Sequence, residues 1–288
     1  MELSMQLNYI MEHGLGKRRS ISEAADLCRS AGFKYVDYSP DFLSEDWEKC
    51  AWRDKEILEK FGISVEQTHA PFNRYRQFDE DMFVTYFKRL FEASYILGAK
   101  YVVVHADEYR TVDRYNEKEI LEYTCGYLAP FVDYASSHGM TVAVENVFED
   151  NNYRWPEIDG KSRFTSRIDE LISVIEKFSS PNVACCWDFG HAKCAFGNEN
   201  MVDALDKVGK YVVCTHVHDN YKNSDLHLLP FLGETNWKDN MAMLKKVGYS
   251  GKLSFEFAYG NIPDELISGY LKAVYDTGVY LKNMFDES

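Results

Sequence analysis

The sequence predicts an α/β fold, a single (β/α)8 TIM barrel over residues 1–288, and three observations predict it. Short apolar runs alternate with longer amphipathic segments through eight rounds, which makes the strands parallel. No Pro/Gly-rich linker and no low-complexity tract breaks that rhythm. The length, 288 residues, is one at which such a barrel forms one domain. An open doubly wound sheet is the competing arrangement, but its dinucleotide fingerprint is missing: Gly14 and Gly16 are not followed by the third glycine.

Taken in order, residues 3–10 are the first expected strand, and 21–30 a helix that Ser20 or Ser22 caps and Gly32 stops. Residues 33–38 give the second strand and 45–60 its helix, ended by Gly62. The third strand, 63–68, runs into a loop at 70–79 holding Pro71 and Asn73, then into a helix at 81–97 closed by Gly98. KYVVVH at 100–105 is the clearest buried strand, an unbroken β-branched run. Residues 116–137 are helical up to His138-Gly139. A fifth strand at 140–145 opens a long polar loop reaching Phe164, after which Thr165 or Ser166 can cap a helix at 168–178. The sixth strand lies at 182–187 with its helix near 199–208, and the seventh at 211–216 with its helix at 237–247. An eighth strand at 252–257 and a helix at 264–282 complete the pattern.

Hydrophobic residues make up 45% of the chain, enough for a large core. The 46 acidic and 32 basic residues leave a net charge of −14, which disfavours a basic nucleic-acid surface. Nucleic acid is therefore not an expected partner. Seven cysteines form no CxxC pair, and no secretory signal or long apolar run is present. Those features predict a reduced, soluble, cytoplasmic protein that does not enter a membrane. Self-association into a homo-oligomer is left open.

The densest chemistry lies in THVHDN at 215–220, running on through DLH and LGE at 225–234. His216 and His218 are two apart, so their rings point the same way if the strand continues. Asp219, Asp225 and His227 follow in a loop, and such a mixture of imidazoles and carboxylates suits a divalent cation. Each residue alone is as readily a histidine or acid that caps a strand or faces solvent. A barrel, however, carries its active site at the carboxyl ends of its strands. Those ends hold His69, His105, Glu145, Asp188, His191, His216 and Glu256. Of the eight histidines only His13 and His138 lie elsewhere, and His138 reads as a helix C-terminal residue.

With these residues in place, the chain resembles the xylose-isomerase-like TIM barrel superfamily. That superfamily holds sugar phosphate isomerases and epimerases together with endonuclease IV enzymes. The motifs that carry the resemblance are THAPF at 68–72, VVVHAD at 102–107, AVEN at 143–146, WDFGHA at 187–192, THVHDN at 215–220, DLHLLPFLGE at 225–234 and FEF at 255–257. They span strands three to eight, and the ordered set is specific for the superfamily but much less so for a reaction. The resemblance implies a core metal site of Glu145, Asp188, His216 and Glu256, one from each of strands five to eight.

Three carboxylates and one imidazole favour Mn²⁺ or Zn²⁺, with Mg²⁺ or Co²⁺ also accommodated, and no organic cofactor is expected. The implied activity is a metal-dependent isomerase or epimerase acting on a small-molecule carbohydrate or a sugar-like keto compound. Glu145 and Glu256 would remove and return a proton beside a metal-polarised carbonyl, and His191 would steady the substrate oxygen. Phe72, Asn146, His218 and Trp155 are expected to contact substrate, with Tyr9, Trp187 and Trp237 as further aromatic candidates. Trp155 lies in a long loop that reads equally as a lid and as solvated surface. Cys185 and Cys186 are expected to pack within strand six, and Cys194 is a weaker ligand candidate.

Two other classes remain. Endonuclease IV enzymes use a trinuclear zinc cluster, and the matching positions are filled here by His69 and His105 beside Glu145, and by His191, Asp225 and His227 around a third site. That permits phosphodiester hydrolysis. Against it stand the negative charge and a rim with few cations: Arg74, Arg76, Lys161 and Arg163. The isomerase is the preferred expectation. A barrel that binds metal and ligand without catalysis is the third class.

Overall fold

Each apolar run in turn pairs with the one before it, because every intervening helix carries the chain back to the same end of the sheet. We describe residues 1–12, 18–72, 78–106, 116–148, 163–257, 259–260 and 262–288 of the computed structural model. The strands are β1 (Leu3–Gln6), β2 (Tyr35–Asp37), β3 (Ser64–His69), β4 (Tyr101–Val104), β5 (Thr141–Glu145), β6 (Val183–Asp188), β7 (Val212–His216), β8 (Asp219–Tyr221), β9 (Ser224–Leu228) and β10 (Leu253–Phe255). Strands β8 and β9 form a separate antiparallel hairpin, and the other eight make one parallel sheet ordered β10-β1-β2-β3-β4-β5-β6-β7. An isolated parallel bridge between Val217 and Phe255 joins the two edges, with the Val217 N–H donating to the Ser254 carbonyl at 2.7 Å. The circle is thereby closed, and the fold is the predicted eight-stranded barrel.

Helices α1 (Leu7–Met11), α2 (Ile21–Ala31), α3 (Trp47–Lys60), α4 (Glu80–Leu97), α5 (Glu117–Ser137), α6 (Ile168–Phe178), α7 (Phe189–Val208), α8 (Trp237–Lys246) and α9 (Asp264–Glu287) alternate with the strands. Helix α2 starts as its sequence requires. Ser20 Oγ accepts the Glu23 N–H at 3.3 Å while the Glu23 carboxylate accepts the Ser20 N–H at 2.8 Å. It stops at Gly32, whose φ of +121° suits glycine, and where a Cβ would meet the Tyr275 ring at 2.8 Å. Apolar helix faces and the outward side chains of the strands form the main core, with Trp187, Phe189, Phe255 and Phe257 fully buried in it. A smaller cluster of Val103, Ala143, Cys186 and Cys214 contributes from β4 to β7. Cys185 and Cys186 are thus packed within β6, as expected. Among the described residues no helix is long and apolar enough to cross a membrane.

Two local expectations fail and a third is extended, each because a polar side chain captures backbone. The first strand ends at Gln6 rather than near residue 10, since Gln6 Oε1 accepts the Asn8 N–H at 2.8 Å and turns the chain into α1. The helix expected near 199–208 is present as the second part of α7; the addition is the part from Phe189, where Asp188 caps α7 by accepting the His191 N–H at 2.6 Å. Its only interior break is Gly197, at φ +65° and ψ 171°. Neither Thr165 nor Ser166 caps α6. Glu170 reaches back to the Thr165 and Arg167 N–H groups instead, at 3.0 and 3.4 Å. Thr165 takes a left-handed φ of 72° and donates its hydroxyl to the Glu145 carbonyl at 3.0 Å.

Candidate active site

The carboxyl ends of the strands converge as barrel geometry requires, and their last residues supply the polar rim. Glu145 ends β5, Asp188 ends β6, His216 ends β7, and Glu256 follows β10 directly. The His216 ring is fully buried and oriented from behind. Its Nε2–H donates to Asp37 Oδ2 at 3.1 Å, and Gln67 Nε2 donates to the same oxygen at 3.0 Å. Asp37 ends β2 and is itself fully buried. With the Nε2 proton so placed, Nδ1 of a neutral ring carries the lone pair. That nitrogen lies 3.0 Å from Glu256, 3.4 Å from Glu145 and 3.6 Å from Asp188, yet has no hydrogen-bond partner. A buried lone pair facing three carboxylates calls for a cation, so the residues fit the divalent metal expected of them. Among the described residues four donor sets fall within reach of a single ion, including Asp188, His216 and Glu256, and His69, Glu145 and His216.

Glu145 is the hub. Its Oε2 lies 3.1 Å from His69 Nε2 and 3.3 Å from His105 Nε2, and its Oε1 lies 3.0 Å from His191 Nδ1. His69 fits as a ligand because its Nδ1 is spent on the Ala70 carbonyl at 2.8 Å, leaving Nε2 to face inward. His105 is turned differently. An Arg163 N–H approaches its Nδ1 at 3.4 Å, so Nε2 carries the proton toward Glu145. Among the described residues His105 joins none of the four donor sets.

The electrostatics follow from this packing. Burial pushes the Glu145 carboxyl up, but the His216 and His105 charges outweigh it and hold it well below the usual carboxylate range. Asp188 is lowered against burial by His191 and His218, and Glu256 against burial by His216 and His227. Burial pulls His69 down, yet its bond to Glu145 raises it to about 9. In the bare protein these imidazolium protons balance the acids, and a divalent cation is able to take their place.

A second group lies beside the first: His191 in the opening turn of α7, His218 just past β7, and Asp225 and His227 on β9, each with one donor atom within 4.8 Å of the others. The pairing of His216 with His218 therefore divides between two neighbouring groups. Asp219, the remaining acid of the motif, is not a ligand. It is fully buried and accepts four N–H donors, from Asn220 at 2.8 Å and from Phe231, Thr235 and Trp237 Nε1 at 3.0 Å each.

The expected substrate contacts are redistributed. Phe72 is 40% exposed and stacks on His105 at 4.8 Å, so it stands at the rim. Asn146 is fully buried and spends both ends of its amide on the Asp188 backbone, at 2.9 and 2.8 Å, which ties β5 to β6 and leaves nothing for substrate. His218 is likewise fully buried. Trp187 and Trp237 belong to the core, at 0% and 2% exposure. Cys194 lies within α7 and not on a loop; its thiol, pushed up to about 12 by burial and by Asp225, accepts from Asn220 at 3.3 Å. Trp155, Arg74, Arg76 and Lys161 lie outside the described residues. Two residues escaped the sequence reading as members of the rim. Asp37 is one. Tyr9, expected only as a pocket aromatic, donates its hydroxyl to Glu256 Oε1 at 3.3 Å.

A family model described as xylose isomerase-like TIM barrel matches residues 25–274. The uncharacterized protein MJ1311 of Methanocaldococcus jannaschii is 25% identical over 229 residues, covering 76% of this chain and 74% of that protein. A D-tagatose 3-epimerase-like protein superposes with a TM-score of 0.71 at 22% identity, over 100% of this chain and 99% of that one. The IOLI protein with a bound zinc atom superposes with a TM-score of 0.72 at 19% identity, over 100% and 99%. These structural likenesses establish the fold.

Proposed function

The chain belongs to the xylose isomerase-like TIM barrel family, and from that premise and the geometry of its rim we propose a divalent-metal-dependent isomerase or epimerase of a small carbohydrate. One observation carries this reading: the orphaned His216 Nδ1 facing Glu256, Glu145 and Asp188. Zinc in the IOLI protein and the name of the epimerase-like protein support it. A bound ion would supply Lewis acidity, polarising a carbonyl so that the neighbouring C–H becomes acidic.

Glu145, Asp188, His216 and Glu256 hold that ion in this reading. Glu256 is the better placed of the two glutamates to move a proton, since its carboxylate is partly accessible while Glu145 is enclosed by histidines. Tyr9 holds one Glu256 oxygen and so aims the other. Glu145 acts as its partner from β5. His191, expected to steady a substrate oxygen, has Nδ1 on Glu145 and the Asn146 carbonyl and Nε2 toward Asp225. We assign it to holding the rim rather than to substrate. Phe72 offers an apolar face to a sugar ring.

The test is proton exchange. In deuterated water, product formed from a converted ketose should carry deuterium at the reacting carbon. Glu256→Gln should slow turnover about 10²-fold or more in metal-replete protein. Complete retention of the original hydrogen, or full activity in that variant, would overturn the two-glutamate reading. Phosphodiester hydrolysis is the second reading, favoured by the several donor sets on one rim. EDTA-sensitive nicking of a duplex with one abasic site, abolished in Asp225→Ala, would establish it in place of the first.

A further inference from the structure

The ligand set that family resemblance places around a third site has three members, His191, Asp225 and His227; the folded chain adds a fourth. We propose that His218 completes a closed, four-ligand zinc site with these residues, and that this ion pins the β8–β9 hairpin to the barrel instead of activating water. The inference goes beyond the isomerase reading and does not depend on it.

The tautomers carry the argument. His191 Nδ1 faces the Asn146 carbonyl at 3.1 Å, and His227 Nδ1 faces the Glu256 carbonyl at 3.2 Å. His218 Nε2 faces both Asp188 oxygens at 3.1 Å. All of these partners only accept, so the anchored nitrogen of each ring must carry its proton. The lone pair of each neutral ring is then on the other nitrogen, and all three turn toward one carboxylate. His227 Nε2 lies 3.2 Å and His191 Nε2 3.6 Å from Asp225 Oδ2, and His218 Nδ1 lies 3.8 Å from Asp225 Oδ1. His218 Nδ1 is buried and has no hydrogen-bond partner. With an ion between them, three imidazole lone pairs and a carboxylate make a tetrahedral N3O set.

The chain is shaped to hold His218 there. Gly190 leaves room for it, since a Cβ at that position would lie 1.9 Å from His218 Cε1. The His218 and His227 rings stack at 4.0 Å and 7°. His227 takes a left-handed φ of 48°, a conformation that is strained for a non-glycine residue and marks a site where side-chain direction matters. Asn220 fixes Asp225 and the hairpin together, donating to Asp225 Oδ1 at 3.3 Å and accepting the Leu226 N–H at 2.6 Å. A tetrahedral zinc held by these four ligands has no open position, as in structural zinc sites, whereas the carboxylate-rich set of Glu145, Asp188, His216 and Glu256 suits a six-coordinate ion with places left for substrate.

Cobalt tests this directly. Chelator-stripped wild-type protein titrated with Co²⁺ should develop the intense visible bands of four-coordinate cobalt. Those bands should persist in Glu256→Gln, which alters only the neighbouring set. In His218→Ala they should weaken toward the pale spectrum of a water-bound ion, with affinity down about 10-fold or more. His218→Asn serves as the second variant if the alanine protein fails to fold by circular dichroism. Wild-type protein that shows only the pale spectrum, or either folded His218 variant that keeps the four-coordinate bands and affinity, would overturn the proposal.

Discussion

Replacing Asp37 by asparagine should cost metal affinity without dismantling the barrel. One Asp37 oxygen accepts from both His216 Nε2 and Gln67 Nε2, and its other oxygen is buried with no partner. An asparagine has two ways to fit. With its carbonyl facing the two donors, its NH2 group takes the partnerless place, an unsatisfied buried donor that costs about 1–3 kcal/mol. With its NH2 facing them, His216 must accept at Nε2 and move its proton to Nδ1, which destroys the lone pair the metal needs. Loss of comparable outer partners weakens metal binding about 10–100-fold, equivalent to about 1.4–2.7 kcal/mol. A competition titration of stripped protein against a colorimetric chelator measures the affinity, and imidazole ¹⁵N shifts of His216 report which nitrogen holds the proton. Affinity within about threefold of wild type, with the His216 tautomer unchanged in a folded variant, would refute the reasoning.

The pH response of the metal-free protein should be distinctive. His69 and His227 are both raised to about 9 in the folded state from an ordinary value of 6.5; burial opposes the rise, and Glu145 and Asp225 respectively cause it. Such groups contribute stability fully below about pH 6.5 that is lost as pH climbs through about 9. Thermal melting with EDTA should therefore fall across that window, while metal-loaded protein should hold its midpoint, since the ion replaces those protons. Parallel profiles with and without metal would contradict this. Asp219→Ala should lower unfolding stability by about 3–5 kcal/mol in urea titration, because four buried N–H donors lose their common acceptor; a loss under about 1 kcal/mol would show that the carboxylate is dispensable.

The barrel was legible in the sequence because its determinants are local. Apolar runs such as YVVV of β4, caps such as Ser20 and stops such as Gly32 act over a few residues, and eight of them in alternation leave one economical closed arrangement. The rim was legible for the same reason: a residue at a strand's carboxyl end faces the mouth whatever the rest of the chain does, so position and residue type pointed to His69, His105, Glu145, Asp188, His191, His216 and Glu256, and only the family resemblance singled out four of them as a ligand set.

What the linear order does not contain is which polar groups satisfy one another across strands. Asn146 was read as a substrate contact and is consumed by the Asp188 backbone 42 residues away. Asp219 shares a motif with two metal-site histidines but is spent on the loop that leads to Trp237. Asp37, 179 residues from His216, carries no distinguishing signal in the sequence, since an acid after an apolar run looks like any strand end. His218 changed from a pocket residue to the fourth member of a ligand set once the hairpin brought Asp225 and His227 beside it. Residue type and strand position specify where donors gather; only closure of the barrel decides which nitrogen of each ring is anchored, and therefore where its lone pair points.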